Sequence, residues 1–295
     1  MTALVTKSFT ITPPFDLRRT ARATGSTLIE GDGSVWHTME TADGPGTIHI
    51  VRTDGGIDIE AWGRGGSLLV ELAPRLLGLD DDPGRFDPGP GLLRDLHLRS
   101  RGLRLGSTGR AFDVLLSAVI GQLVTTTEAK SSQRRLEGAI GRRAPGPKEG
   151  LRLPPTPEDL ASLRYEQLHA FGIERKRAQT IIECARRARR IEEAMEMDPE
   201  TARRRILSIR GVGPWTTETV MGVAHGDRDA VPPGDHNLPH MISWALAGEP
   251  RGSDERMFEL LEPFRPLRRR VLILVKQSGI KAPRYGPRSP LRTHL

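Results

Sequence analysis

Asp235 stands twenty positions after Trp215, the last residue but one of the run Ile206-Leu207-Ser208-Ile209-Arg210-Gly211-Val212-Gly213-Pro214-Trp215-Thr216. A carboxylate can stabilise a developing cation or orient a water, and an indole offers a π face. The apolar turn running into Gly-Val-Gly and straight on into another helix reads as two helices joined by a hairpin. Its glycines let backbone N–H groups approach a phosphate closely. Such an element grips a polyanionic backbone without reading its sequence. The aspartate lies one helix further on, inside Val231-Pro232-Pro233-Gly234-Asp235-His236, where the chain can return to the mouth of the hairpin. Read locally, Asp235 equally caps the helix that contains Met241 to Leu246, and Trp215 equally is packing.

Two kinds of element must position these residues. From Ser8 to Val70, β-favouring runs (Thr27 to Glu30, Ser34 to Glu40, Thr47 to Thr53, Gly56 to Trp62) alternate with Gly and Asp turns. They predict a small antiparallel sheet, with a helix over Leu68 to Leu77 covering it. Asp80-Asp81-Asp82-Pro83 then opens a loop rich in Pro and Gly that ends near Gly91. Without the spaced ligands of a calcium loop, its aspartates read as a solvated turn.

Downstream the signal is helical. Phe112, Leu115, Leu116, Val119 and Leu123 recur at helical spacing in a helix that stops around Gly121-Gln122. Gly141 to Pro155 reads as an exposed loop, and Thr156-Pro157-Glu158-Asp159 starts another helix. Ala178, Ile181, Ile182, Ala185 and Ile191 mark a third, whose other face carries Arg186, Arg187, Arg189 and Arg190. That face is either solvated or lies along a nucleic acid. Asp198-Pro199-Glu200 opens the first hairpin helix and Pro214 the second, so the motif occupies about 199–225. Arg265-Pro266-Leu267-Arg268-Arg269-Arg270 precedes Val271 to Val275, a short buried helix; its arginines either touch phosphate or solvate the helix entrance. The expected fold class is α+β: an N-terminal antiparallel β-sheet domain over 1–90, a mainly helical bundle over 91–285, and a flexible tail over 286–295.

Composition sets wider limits. The 295 residues carry a formal charge of +7, which suits a polyanionic partner. Only six of the 44 basic residues are lysines, however, and an arginine bias alongside 32 Gly and 23 Pro also follows from genomic base composition. The single cysteine, Cys184, excludes an intramolecular disulfide, a four-cysteine iron-sulfur cluster and a cysteine-based zinc site. On its apolar helix face it reads as an inert core thiol. His97, His169, His225 and His240 lack metal-ligand spacing, and His236 and His240 lack the glutamate of a zinc protease motif. No apolar run approaches the roughly 18 residues of a membrane span, so a soluble, cytoplasmic protein is expected.

The hairpin, the Pro-Gly-Asp after it and the upstream Ile120-Gly121-Gln122-Leu123-Val124 occur in an order that resembles the helix-hairpin-helix DNA glycosylase superfamily. The likeness is to the branch of bacterial 3-methyladenine DNA glycosylase II and covers roughly residues 10 to 285. It implies a catalytic role for Asp235 in stabilising an oxocarbenium-like transition state. Trp215 stands where lyase-active members carry a lysine, which implies a monofunctional enzyme that leaves an abasic site. Leu123 falls where the superfamily inserts an apolar wedge into the duplex, although by spacing it is also the last residue of a core stripe. Gln122 is placed to meet the orphaned strand. Amides of Gly211, Gly213 and Thr216 would bind phosphate.

Backbone carbonyls of Leu207, Ile209 and Val212 match a monovalent cation site, Na+ or K+, with no other cofactor required. The base pocket would comprise Trp215, Thr219, His236 and Leu267. The last three stand where aromatic residues are expected, in a chain only 4% aromatic, which leaves deaminated or oxidised bases open beside alkylated ones. The implied partner is double-stranded DNA containing damaged bases, bound by a monomer associated with the nucleoid and not with a membrane. A non-catalytic DNA-binding protein on the same scaffold is the rival reading, and a bifunctional lyase is disfavoured by Trp215.

Overall fold

The computed structural model describes residues 4–25 and 28–283, so the tail expected over 286–295 lies outside the described residues. Five strands, β1 (Leu4–Thr10), β2 (Leu28–Ile29), β3 (Val35–Thr41), β4 (Gly44–Thr53) and β5 (Gly56–Trp62), form one antiparallel sheet in the order β1-β5-β4-β3-β2. A short helix, α1 (Leu17–Thr24), capped by Asp16, intervenes between β1 and β2. In β5 the alternation is explicit: Ile57, Ile59 and Ala61 are buried while Asp58 and Glu60 face solvent. The buried face carries Ile48, Ile50, Ile57 and Ile59 and is closed by Leu69, Val70 and Ala73 of α2 (Gly66–Leu76). β1 begins earlier than the sequence pattern indicates. It is an edge strand with mostly exposed side chains, held by its backbone ladder to β5 from Leu4↔Trp62 to Thr10↔Gly56, so hydrophobic alternation hardly marks it. The run expected from Thr27 contains the two-residue β2, and Thr27 itself lies outside the described residues.

Helices follow: α3 (Leu92–Arg99), α4 (Ala111–Ile120), α5 (Thr126–Ala139), α6 (Pro157–Ala161), α7 (Tyr165–His169), α8 (Arg175–Arg186), α9 (Ala188–Glu192), α10 (Pro199–Leu207), α11 (Pro214–Val220), α12 (Leu238–Ala247), α13 (Asp254–Leu261) and α14 (Arg268–Ser278). The described helices include none long and apolar enough to cross a membrane. Phe112 and Leu115 of α4 pack with Ile181 of α8, Ile206 of α10 and Val220 of α11 in a central core that also buries Cys184. Burial pushes the Cys184 thiol up to about 12. A third core joins Ala23 and Phe86 from the N-terminal stretch to Ile242, Met257, Leu261 and Val271 of the C-terminal helices. The loop that leads from α11 to α12 therefore bridges two cores, and it carries Asp235.

Three local expectations are corrected by long-range packing and a fourth by where a helix ends. The segment from Gly141 to Pro155 is not a fully exposed loop: Ala144, Leu151 and Leu153 cover Trp36 on the outer face of the sheet, and Thr38 donates to the Arg152 carbonyl at 3.0 Å. The aspartates after Leu79 are not all solvated. Asp81 is 2% exposed, accepts the Leu105 N–H at 2.8 Å and pairs with Arg270, itself 1% exposed, while Arg228 lies 3.0 Å from its other oxygen. Arg268, Arg269 and Arg270 are all buried, so they neither reach outward for phosphate nor solvate the helix entrance. Leu123 does not belong to the core stripe of α4, because that helix ends at Ile120.

Candidate active site

Asp198 starts α10 by accepting the Thr201 N–H at 3.0 Å, and the helix ends in a tight turn where Ile209 donates to Ile206 at 3.2 Å and Val212 to Ile209 at 3.0 Å. Gly211 has φ +88, a left-handed value that favours glycine. A β-carbon there would also lie 2.0 Å from Thr180 Oγ1 of α8, so glycine is required twice over. Gly213 then precedes α11 without a side-chain cap, and Pro214 fills the first helical position, where no N–H is needed. The first-turn N–H groups of α11 thus face the mouth of the hairpin without a cap, as an anion-binding helix start does.

Trp215 projects from that first turn, and its indole Nε1–H donates to Asp235 Oδ2 at 3.1 Å. The other oxygen, Oδ1, accepts the N–H groups of Asn237 and Leu238, each at 2.9 Å. Three donors therefore fix the Asp235 carboxylate at the entrance to α12. The cap and the approach to the hairpin are one arrangement, because one oxygen serves the helix and the other turns toward Trp215.

The loop bearing Asp235 is clamped along its length. Arg203 of α10 donates to both oxygens of Glu218 on α11, at 2.6 and 3.0 Å, and also pairs with Asp227. Its two carboxylate partners raise the Arg203 pKa further. Arg268 holds Asp229 through bonds of 2.8 and 2.7 Å, and Asp254 at the start of α13 accepts the Gly234 N–H at 2.7 Å. Sequence reasoning did not find Arg203, Glu218, Asp227, Asp229 and Asp254, and it gave Arg268 no part in holding this loop. Their partners lie fifteen to thirty-nine residues away, where no periodic signal operates.

On the other side of the mouth, Gln122 Nε2 donates to Thr216 Oγ1 at 2.9 Å and to the Gly211 carbonyl at 3.2 Å. This ties the turn after α4 to the hairpin. Leu123, next in the chain, is 96% exposed with φ +56, the only non-glycine residue with positive φ among those described. Thr219 donates to the Trp215 carbonyl at 2.8 Å within α11. His236 is exposed and meets His240 edge-on with ring centroids 6.4 Å apart. Leu267 packs into the third core at the start of α14. The fold thus links Gln122, the neighbour of Leu123, to Gly211 and Thr216, and links Trp215 in the same first turn of α11 to Asp235. Among the described residues no cluster of three His, Cys, Asp or Glu side chains could hold a metal.

Residues 116–266, about half of the chain, match the HhH-GPD superfamily of base excision DNA repair proteins, and the chain belongs to that superfamily. Within it, the chain is 32% identical over 130 residues to DNA-3-methyladenine glycosylase 2 of Escherichia coli, covering 43% of this chain and 45% of that protein. The chain spans about half the length of the curated relatives it matches. Over most of its length the fold is shared with the 3-methyladenine DNA-glycosylase of Archaeoglobus fulgidus, with TM-score 0.78 at 20% identity, covering 91% of this chain and 96% of that one. It is also shared with the 8-oxoguanine glycosylase/lyase of Clostridium acetobutylicum solved with DNA, with TM-score 0.70 at 15% identity and coverages of 90% and 93%. Two proteins named for different bases and different chemistry have this fold, so the choice between them rests on side chains.

Proposed function

We propose that the chain is a monofunctional DNA glycosylase that flips an alkylated base out of duplex DNA and hydrolyses its N-glycosidic bond, leaving an abasic site. The observation that carries this reading is Asp235, held by three N–H donors at the mouth of an uncapped helix-hairpin-helix. As the base departs, positive charge builds on the sugar, and a fixed carboxylate stabilises it without reorganising. The same carboxylate orients the attacking water. Trp215 acts as a positioning residue through its N–H, while its ring face remains available to a cationic base. Its indole stands where a lyase would need an amine, and no lysine lies between Lys176 and Lys276. A base taken out of the stack leaves a gap, and Leu123 presents an apolar side chain on a rigid turn to fill it. The amides of Gly211, Gly213 and Thr216 hold the phosphate.

The 3-methyladenine names of the relatives favour an alkylated base. The protein would work as a monomer on double-stranded DNA. The carbonyl of Leu207 at the end of α10, which lacks an intrahelical partner, and those of Ile209 and Val212 in the turn after it suit a Na+ or K+ ion. The Ile209 carbonyl accepts the Val212 N–H at 3.0 Å, and a carbonyl oxygen has a second lone pair to offer. Such an ion would add positive charge beside the phosphate.

The test is base release from methylated duplex DNA by the native chain and by Asp235→Asn, with strand breaks counted before and after alkali. The expected result is release that falls on the order of 10²- to 10³-fold in the variant, with breaks only after alkali. Tight DNA binding without release of methylated, deaminated or oxidised bases would favour the non-catalytic reading, and breaks before alkali would overturn the absence of lyase chemistry.

A further inference from the structure

A duplex held at the hairpin must extend past it, and exposed cations on the adjoining elements mark a path. Gly211 rests against Thr180, which donates to the Lys176 carbonyl at 2.9 Å, one turn nearer the start of α8. Lys176 and Arg175 open that helix and are both exposed. The Arg175 guanidinium stacks 4.8 Å above the Tyr165 ring, which holds its plane without neutralising its charge. In the turn before α8, a β-carbon on Gly172 would lie 2.6 Å from Arg135 Nη2, so α5 lies alongside. α5 begins three residues after Leu123 and exposes Lys130 and Arg135. Arg210, Lys176, Arg175, Arg135 and Lys130 therefore sit on neighbouring elements that lead from the hairpin to the helix behind Leu123.

None of these five makes an ion pair among the described residues, and Glu174 is the only acid between Phe171 and Thr180. The far end of the same arginine-rich segment differs: Arg187 pairs with Glu183, and Arg189 lies 3.3 Å from Glu193. Uncompensated cations on a rigid surface attract phosphates and release counterions, whereas paired ones do so weakly.

We infer that one arm of the duplex, on one side of the flipped base, lies along α5 and the start of α8, held by phosphate contacts from Lys130, Arg135, Arg175 and Lys176. This rests on the function proposed above and adds to it a direction for the DNA. The contacts carry no sequence information, so they strengthen binding to damaged and undamaged DNA alike.

The experiment uses the full chain and duplexes carrying a tetrahydrofuran abasic analogue, with a long arm on one side or on the other. One of the two is expected to bind about tenfold tighter. The triple variant Arg135→Gln, Arg175→Gln, Lys176→Gln is expected to abolish that difference. It also makes the slope of log K against log salt shallower by about 2 to 3, at roughly 0.9 per lost contact. The control Arg187→Gln, Arg189→Gln keeps both properties. Should the triple variant melt early, Lys176→Gln alone carries the test, with a slope change of about 0.9. Equal binding of the two one-armed duplexes, or an unchanged slope in the variant, overturns the inference. Base release by the native chain is followed in parallel. Arm dependence without release defeats the glycosylase reading alone, and release without arm dependence defeats this one alone.

Discussion

Leu123 combines nearly complete exposure with a left-handed backbone, two features a folding residue would avoid. For a residue with a β-carbon that conformation costs about 1–2 kcal/mol, partly offset against glycine by glycine's greater unfolded entropy of about 0.5–1 kcal/mol. Leu123→Gly is therefore expected to leave thermal stability unchanged or raise it by up to about 1 kcal/mol, while base release falls at least about tenfold for want of an apolar wedge. Melting curves and single-turnover excision check this together; unaltered excision would reduce Leu123 to a turn residue. At Trp215, the Phe variant keeps an aromatic ring and removes the donor to Asp235. A hydrogen bond to a charged acceptor contributes about 1.5–3 kcal/mol, so release slows roughly 10- to 100-fold while the Kd for DNA stays within about twofold. A matched loss in Kd and rate would mean that the indole acts through binding instead. The candidacy of Asp235, Trp215 and Leu123 was legible in the sequence because motif order and spacing survive in a linear chain. The bond between Trp215 and Asp235 was not, since it depends on how α11 and α12 meet.

Among the elements, the hairpin follows most directly from its residues. Asp198 caps, Pro199 and Pro214 start helices, and Gly211 makes the turn, all chemistry within seventeen contiguous residues. The proposed cation site is tested at this scale. Replacing K+ by a bulky tetraalkylammonium at constant ionic strength is expected to weaken DNA binding severalfold by emptying the carbonyl site at Leu207, Ile209 and Val212. Titration of K+ back into the bulky-cation buffer checks this, and an affinity indifferent to the exchange would remove the cation from the hairpin. The strap from Gly141 to Pro155 went the other way. Its Pro, Gly and basic residues resemble a solvated loop, yet Leu151 and Leu153 find a partner in Trp36 on a strand more than a hundred residues earlier.

For the whole molecule, acid is the expected weakness. His37 lies on β3 opposite Ile48, on the apolar face of the sheet, and both ring nitrogens are buried without a partner. Burial depresses its pKa from 6.5 to about 4, so the native state holds the neutral ring while the unfolded chain takes up a proton. Stability from this group is complete above pH 6.5 and is lost as pH falls toward 4, by up to about 3 kcal/mol. Urea melts at pH 7 and pH 4.5 are expected to show that loss in the native chain and a smaller one in His37→Leu; parallel losses would exonerate the histidine. The sequence by itself determined the elements and the motif order: strand alternation in β5, the caps of α6 and α10, and the hairpin with an aspartate downstream. These arise from turn chemistry and side-chain periodicity among contiguous residues. Only the tertiary structure decided which charges meet. Asp81 reaches Arg270 across 189 positions, Asp229 reaches Arg268, and Arg203 joins Glu218 to Asp227. A buried charge must find its counterion wherever packing brings one, and burial is set by three cores built from distant parts of the chain.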